Sequence, residues 1–308
     1  MILDLDQEYD NVKKVAPEYF RRVLAQLDAA NTAARRKHRA VLDVPYGASS
    51  QERLDIFQAG NSGMPVQVFF HGGYWHSLDK RDFSFIADGL VPHDVTAVVV
   101  NFPHLPDVRM DAQIAACRRA LRWVYDNINS YGGDPQQLSV SGHSAGAHIA
   151  AMLLVDDAEQ GTDARRPIVD RACLVSGIYD LNPIKRCFVN DTLQLSAEEV
   201  AKNSPVTMRP QRACALALVV GGDEGREYLR QTRDLARAWR SLEPHLSLSA
   251  LEGENHFSLR VQFGDPDSKV IKLAVGSVPK LAVGSGLVAV GSGLAITHAV
   301  NRMRDCKT

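Results

Sequence analysis

Apolar residues along this chain recur in two rhythms. Val95 to Val100 is an unbroken, largely β-branched run, the pattern of a strand covered on both faces. Arg53 to Phe57 and Val66 to Phe70 read as shorter strands separated by the turn at Gly60 to Gly63. Leu138 to Ser141, Ala172 to Ser176, Ala215 to Val220 and Leu246 to Leu251 extend the series. Between these runs the period lengthens. From Asp111 to Tyr131, Ile114, Leu121, Val124 and Ile128 form one helical stripe that stops at Gly132-Gly133, and Tyr228 to Leu242 reads as another helix. Residues 8–40, polar and rich in Ala, Arg and Lys, predict a helical cap segment at the N-terminal end. Strands alternating with helices predict an α/β fold, with a mostly parallel sheet and helices on both faces. Nothing in the composition divides residues 1–272, so one domain is expected there.

The remaining residues, 273–308, break the pattern. Leu273 to Ser277, Leu281 to Ser285 and Val288 to Ser292 repeat an apolar-Ala-Val-Gly-Ser unit, and no charge falls between Leu281 and Thr297. Gly and Ser dilute this stretch below the ~20 strongly apolar residues of a membrane span. Three short copies do not make a solenoid. The segment is expected to pack on the domain or on a second subunit, which leaves a homo-oligomer open.

Composition narrows the function classes. The 308 residues are 45% hydrophobic with a formal net charge of −1, so no nucleic acid and no anionic membrane surface is expected as partner. Cys117, Cys173, Cys187, Cys214 and Cys306 are odd in number and form no C-x-x-C pair, which predicts inert or core-packed thiols. The acidic start, Met1 to Asp6, lacks an apolar signal region, and a cytoplasmic location is expected.

The chemistry centres on Gly142-His143-Ser144-Ala145-Gly146. A strand leads into it and the small, apolar stretch Ala147 to Val155 follows as a helix. In that context G-x-S-x-G forms a sharp turn that lifts the serine hydroxyl clear of the sheet. A serine hydroxyl needs a base, and the base needs an orienting acid. With the order Ser, acid, His, each following a strand, His256 just after Leu251 is the candidate base. His245 precedes that strand and His298 lies in the repeats, so both fit less well. The strand ending at Val220-Gly221 offers two carboxylates, Asp223 and Glu224. Spacing from Gly221 favours Glu224, with Asp223 as the other reading. His71-Gly72-Gly73-Tyr74-Trp75 follows a strand directly; Gly72 and Gly73, with Tyr74 as a further candidate, would supply an oxyanion hole together with the Ala145 N–H. His-Gly-Gly read alone is also an ordinary turn. Tyr74, Trp75 and His76 are candidates for an apolar wall against an aromatic substrate, although aromatic residues after a strand more often pack in the core, and His143 is a candidate for a substrate contact beside the nucleophile. His148, one helical turn beyond Ser144, reads as a packed residue. No H-E-x-x-H, phosphate loop or G-x-G-x-x-G occurs, so no metal or organic cofactor is expected.

These motifs carry a resemblance. HGGYW at 71–75, GHSAGAHIAAMLL at 142–154 and SGIYDLNPI at 176–184 resemble kynurenine formamidase (arylformamidase), a member of the α/β-hydrolase superfamily close to the hormone-sensitive-lipase-like esterases. The likeness runs through Leu193-Gln194-Leu195, Asn203-Ser204-Pro205 and Glu227-Tyr228-Leu229-Arg230-Gln231, and covers roughly residues 45–262. It implies an α/β-hydrolase fold without cofactor, with nucleophile, acid and base at Ser144, Glu224 and His256. Gly225-Arg226 after the acid, His76 after HGGYW and the repeats depart from the family. The expected activity is serine hydrolysis of small aryl formamides, of the N-formylkynurenine type, or of carboxylic esters. The alternative is a broad carboxylesterase with no role in kynurenine metabolism. A non-catalytic scaffold of the same fold would have lost a triad member, and none is lost.

Overall fold

The computed structural model describes residues 3–60, 62–155, 169–211, 213–242 and 245–276. Two helices open it, α1 (Leu5–Tyr9) and α2 (Pro17–Lys37), followed by β1 (Ala40–Pro45), β2 (Arg53–Phe57) and β3 (Met64–Phe70). Then come α3 (Ile86–Leu90), β4 (Thr96–Val100), α4 (Met110–Asn127), β5 (Gly133–His143), α5 (Ala145–Leu154) and β6 (Val169–Val175). Three short helices follow: α6 (Asn182–Lys185), α7 (Val189–Leu193) and α8 (Ala197–Lys202). The described chain closes with β7 (Ala215–Gly221), α9 (Arg226–Trp239), β8 (Ser247–Leu251), α10 (His256–Gln262) and α11 (Lys269–Val275).

The strands form one eight-stranded sheet in the order β1-β2-β4-β3-β5-β6-β7-β8. From β4 through β8 every pairing is parallel, whereas β1 and β2 run antiparallel at one edge. Side chains alternate between two apolar layers, as the two-residue period of a strand requires. Val66, Val68 and Phe70 of β3 enter one layer with Leu216, Leu218 and Val220 of β7. Phe69, Val99, Cys173, Val175, Ala217 and Val219 enter the other. Helices α4, α5 and α9 cover the first face, and α3, α10 and α11 the second. This is the expected α/β-hydrolase architecture.

The predicted strands are all present, most with longer bounds than the sequence suggested. The helix expected over 111–131 is α4 closed by a 3-10 turn, Ile128–Tyr131, ending at Gly132. One element was not foreseen. The segment assigned to a helical cap through residue 40 breaks into α1, a loop and α2, and its last residue already belongs to edge strand β1. β1 carries Asp43 and is mostly solvent-exposed, so it lacks the apolar run that marks the interior strands. Cys117, Cys173, Cys187 and Cys214 are buried and form no disulfide, and burial pushes the thiol pKa of Cys173 up to about 12 and that of Cys187 to about 11. Of the repeats, Leu273–Val275 form the end of α11, with Ala274 buried against the second layer; residues 277–308, and with them the rest of the repeats, His298 and Cys306, lie outside the described residues. Among the described residues no helix is long and apolar enough to cross a membrane.

Candidate active site

Ser144 stands between β5 and α5 at φ 59°, ψ −123°, a conformation that L-residues seldom adopt. Neighbouring glycines make this turn possible through space. A Cβ on Gly146 would overlap the Phe70 carbonyl oxygen, and one on Gly142 would overlap Gly146 itself. The elbow is pinned from the next strand, since Ser144 N–H donates to Val175 O at 2.9 Å. Ala145 is the first residue of α5, so its N–H has no intrahelical acceptor.

The loop after β3 packs directly on the elbow. A Cβ on Gly72 would stand 3.2 Å from Ser144 Cβ, and Gly73 holds φ 113°, a backbone open to glycine. His71 beneath is fully buried between Phe83 and Phe102, and its Nδ1–H donates to Gly72 O at 2.8 Å. Loss of hydration lowers its pKa to about 4, so it is a neutral prop for the loop.

The residues expected as acid and base follow β7 and β8. Glu224 follows β7, is 1% exposed, and its Oε2 lies 2.6 Å from His256 Nδ1. Its Oε1 accepts from Ser176 Oγ and from Gly221 N–H, each at 2.6 Å. Asp223, one residue earlier, is exposed, and its N–H is tied to Glu254 O. His256 opens α10 after the Asn255 cap and is 8% exposed. His245 is exposed at the other end of β8.

Ser144, His143, His256, Gly72 and Gly73 line one cavity of about 410 Å³. Its remaining wall is largely apolar: Val12, Phe20, Leu24, Phe83, Phe188 and Phe257. His143 Nε2–H donates to His256 O at 3.0 Å. Burial, reinforced by His256 and Arg260, holds His143 well below the ordinary imidazole pKa, so it faces the cavity neutral.

Trp75 departs from the expectation that it would contact substrate. It is 1% exposed and absent from the cavity wall; its indole N–H donates to His148 Nδ1 at 3.0 Å inside the core. Tyr74 and Trp75 both have left-handed backbones, φ 49° and 62°, and this turn sends only the Tyr74 ring to the cavity. His148 is packed as expected: its Nε2–H donates to Asn203 O at 2.7 Å, and burial lowers its pKa to about 4. His76 is not in the wall either.

Several site residues escaped the sequence reading. Asn11, in the loop between α1 and α2, donates from Nδ2 to Tyr228 OH at 2.8 Å and to Tyr74 OH at 3.1 Å. Tyr228 lies within hydrogen-bonding reach of the Ser144 side chain and packs its ring on His256 at 4.8 Å. Tyr9 binds Glu227 Oε2 at 2.8 Å and accepts from Gln231 at 2.9 Å. Lys14 binds the backbone carbonyls of Glu8 and Glu224. Ser176 and Tyr228 sit inside the SGIYD and EYLRQ segments, and this was their only signal in the sequence. Arg260 lies four residues after His256 on one helix and shares the cavity.

Comparison with known proteins gives this arrangement its relatives. The BD-FAE family model matches residues 54–213. The kynurenine formamidase of Danio rerio is 31% identical over 272 residues, covering 86% of this chain and 91% of that protein. The chain belongs to the kynurenine formamidase-like α/β-hydrolases. Among solved structures, a candidate thioesterase from Silicibacter sp. TM1040 superposes with a TM-score of 0.77 at 24% identity, covering 89% of this chain and all of that one. Esterase B from Lactobacillus rhamnosis gives 0.62 at 17% identity, covering 82% and 90%. Both share the fold. Membership makes the chain a hydrolase of the formamidase and esterase group.

Proposed function

We propose that the chain cleaves aryl formamides through a formyl-enzyme on Ser144, N-formylkynurenine being the type of substrate. The buried 2.6 Å contact between Glu224 and His256, in a cavity that Ser144 also lines, carries this reading. A carboxylate only accepts, so the His256 proton resides on Nδ1 and Nε2 is left as the base. Ser144 Oγ attacks the formyl carbon while Nε2 takes its proton. The oxyanion meets the N–H groups of the Gly72-Gly73 loop and Ala145. Collapse expels the arylamine, protonated by His256, and water returned along the same route releases formate. Glu224 stabilises the imidazolium in both halves.

The cavity volume lies within the range of small-molecule sites, and Phe20, Phe83, Phe188 and Phe257 give it an aromatic wall. The same apolar wall accommodates short alkyl esters, the second reading. The test is parallel turnover of N-formylkynurenine and of p-nitrophenyl esters of increasing acyl length. A higher kcat/KM on the formamide supports the first reading; turnover of esters alone replaces it with the second.

A further inference from the structure

Arg260 is a charged group of this cavity that the chemistry above leaves without a task. It is 8% exposed and lines the wall together with Ser144 and His256. Its guanidinium stacks on Phe83 at 4.2 Å, and one Nη donates to the backbone carbonyl of Asp82 at 2.9 Å. That contact is with a carbonyl, not a carboxylate. The Asp82 side chain instead accepts from Asp79 N–H as part of a capping box. Arg260 Nε is buried and has no hydrogen-bond partner among the described residues. A buried donor left unmade is costly, and more so on a cation. Asp10, also in the wall, is bound to Lys13 at 2.8 Å, so its charge is already matched.

Two further observations orient this cation toward the reacting centre. It is one helical turn from His256 on α10. Its field also reaches His143, beside the nucleophile, where it helps keep that imidazole neutral. Burial lowers the guanidinium pKa only to about 10, so the charge persists at neutral pH.

We propose that Arg260 is a specificity-determining residue of this site, an anion-recognition group that reads a carboxylate on the part of the substrate that leaves. The inference deepens the functional reading above and rests on it. A guanidinium already stripped of water and fixed by Phe83 offers a planar fork to a carboxylate with little further ordering. Carboxylate and scissile carbonyl would then be read together, one by Arg260 and the other by the Gly72-Gly73 loop.

The test uses two matched pairs that differ only in the charged group: N-formylkynurenine against its carboxamide, and 3-acetoxybenzoate against 3-acetoxybenzamide. The wild type is expected to prefer the carboxylate member by on the order of ten- to a hundredfold in kcat/KM, mainly through KM. Arg260→Gln should bring that ratio close to one, and Arg260→Lys should retain part of it. A binding readout independent of turnover accompanies it: benzoate, but not benzamide, should raise the melting temperature of the wild type, and the difference should vanish in Arg260→Gln. If Arg260→Gln does not fold, the wild-type ratios, the benzoate shift and the Lys variant still decide. Hydrolysis with no carboxylate preference, or a preference that survives Arg260→Gln, overturns the inference. Failure to hydrolyse any of the four compounds overturns the functional reading instead, and the benzoate shift then decides the anion site alone.

Discussion

Glu224→Gln tests the site through a single atom. The carboxylate accepts from three donors: His256 Nδ1–H on Oε2, and Ser176 Oγ–H and Gly221 N–H on Oε1. A carboxamide has only one accepting oxygen. Gly221 N–H is backbone and can only donate, so the amide oxygen must stay with it and the NH2 must turn to His256. His256 can accept that N–H only if Nδ1 loses its proton. The imidazole then carries hydrogen on Nε2 and is no longer a base toward Ser144. The imidazolium of the transition state also loses its counter-charge. A carboxylate-to-carboxamide change in a triad of this kind lowers kcat roughly 10⁴-fold, about 5 kcal/mol of barrier. Gln and Glu have nearly the same shape, so the fold should be kept. Asp223→Asn is the control: its side chain faces solvent, and its effect should stay below about threefold. The assay is kcat and KM on the preferred substrate at pH 7.5, with circular dichroism to verify folding. A Glu224→Gln enzyme within tenfold of wild type, or an Asp223→Asn enzyme more impaired than it, refutes the reasoning.

Ser144→Ala should lower kcat by about three to six orders of magnitude with folding intact, and an aryl phosphonate should label Ser144 alone in the wild type; mass spectrometry finding another labelled serine contradicts the assignment. His71 and His148 have folded-state pKa values near 4, depressed by burial from about 6.5. Above pH 6.5 both states are neutral; below it the unfolded chain takes up protons first, so stability falls between about pH 6.5 and 4, by about 2 kcal/mol per histidine at pH 5. Urea midpoints that do not move between pH 7.5 and 5 would disprove this. Trp75→Phe removes the indole N–H from buried His148 and should cost about 1–3 kcal/mol of stability, while kcat/KM stays within about threefold; a selective loss of activity would return Trp75 to the substrate wall.

Much of this was legible because the candidate site residues sit where strands end. The elbow, the His-Gly-Gly loop and His256 each follow a strand whose apolar run is visible by itself. Glu224 could be preferred over Asp223 from spacing, but the carboxylate facing inward is fixed by Ser176 and Gly221, which the linear sequence does not join. Trp75 was misread because an aromatic residue after a strand can turn to either side, and two left-handed residues in succession decided it. Asn11, Tyr228 and Arg260 were invisible as a group. They come from the two ends of the domain, and no local period connects them.

The contacts of Tyr9, Asn11 and Lys14 have a consequence for timing. Tyr9 meets Glu227 and Gln231 across 218 and 222 positions, Asn11 meets Tyr228 across 217, and Lys14 meets Glu224 across 210. Closing such loops costs entropy that no nearby pairing offsets, whereas the parallel sheet grows from contacts of shorter separation. Residues 9–14 are thus among the last to reach their partners. During refolding, far-UV ellipticity should recover before turnover does, and docking of residues 9–14 should set the interval between the two signals.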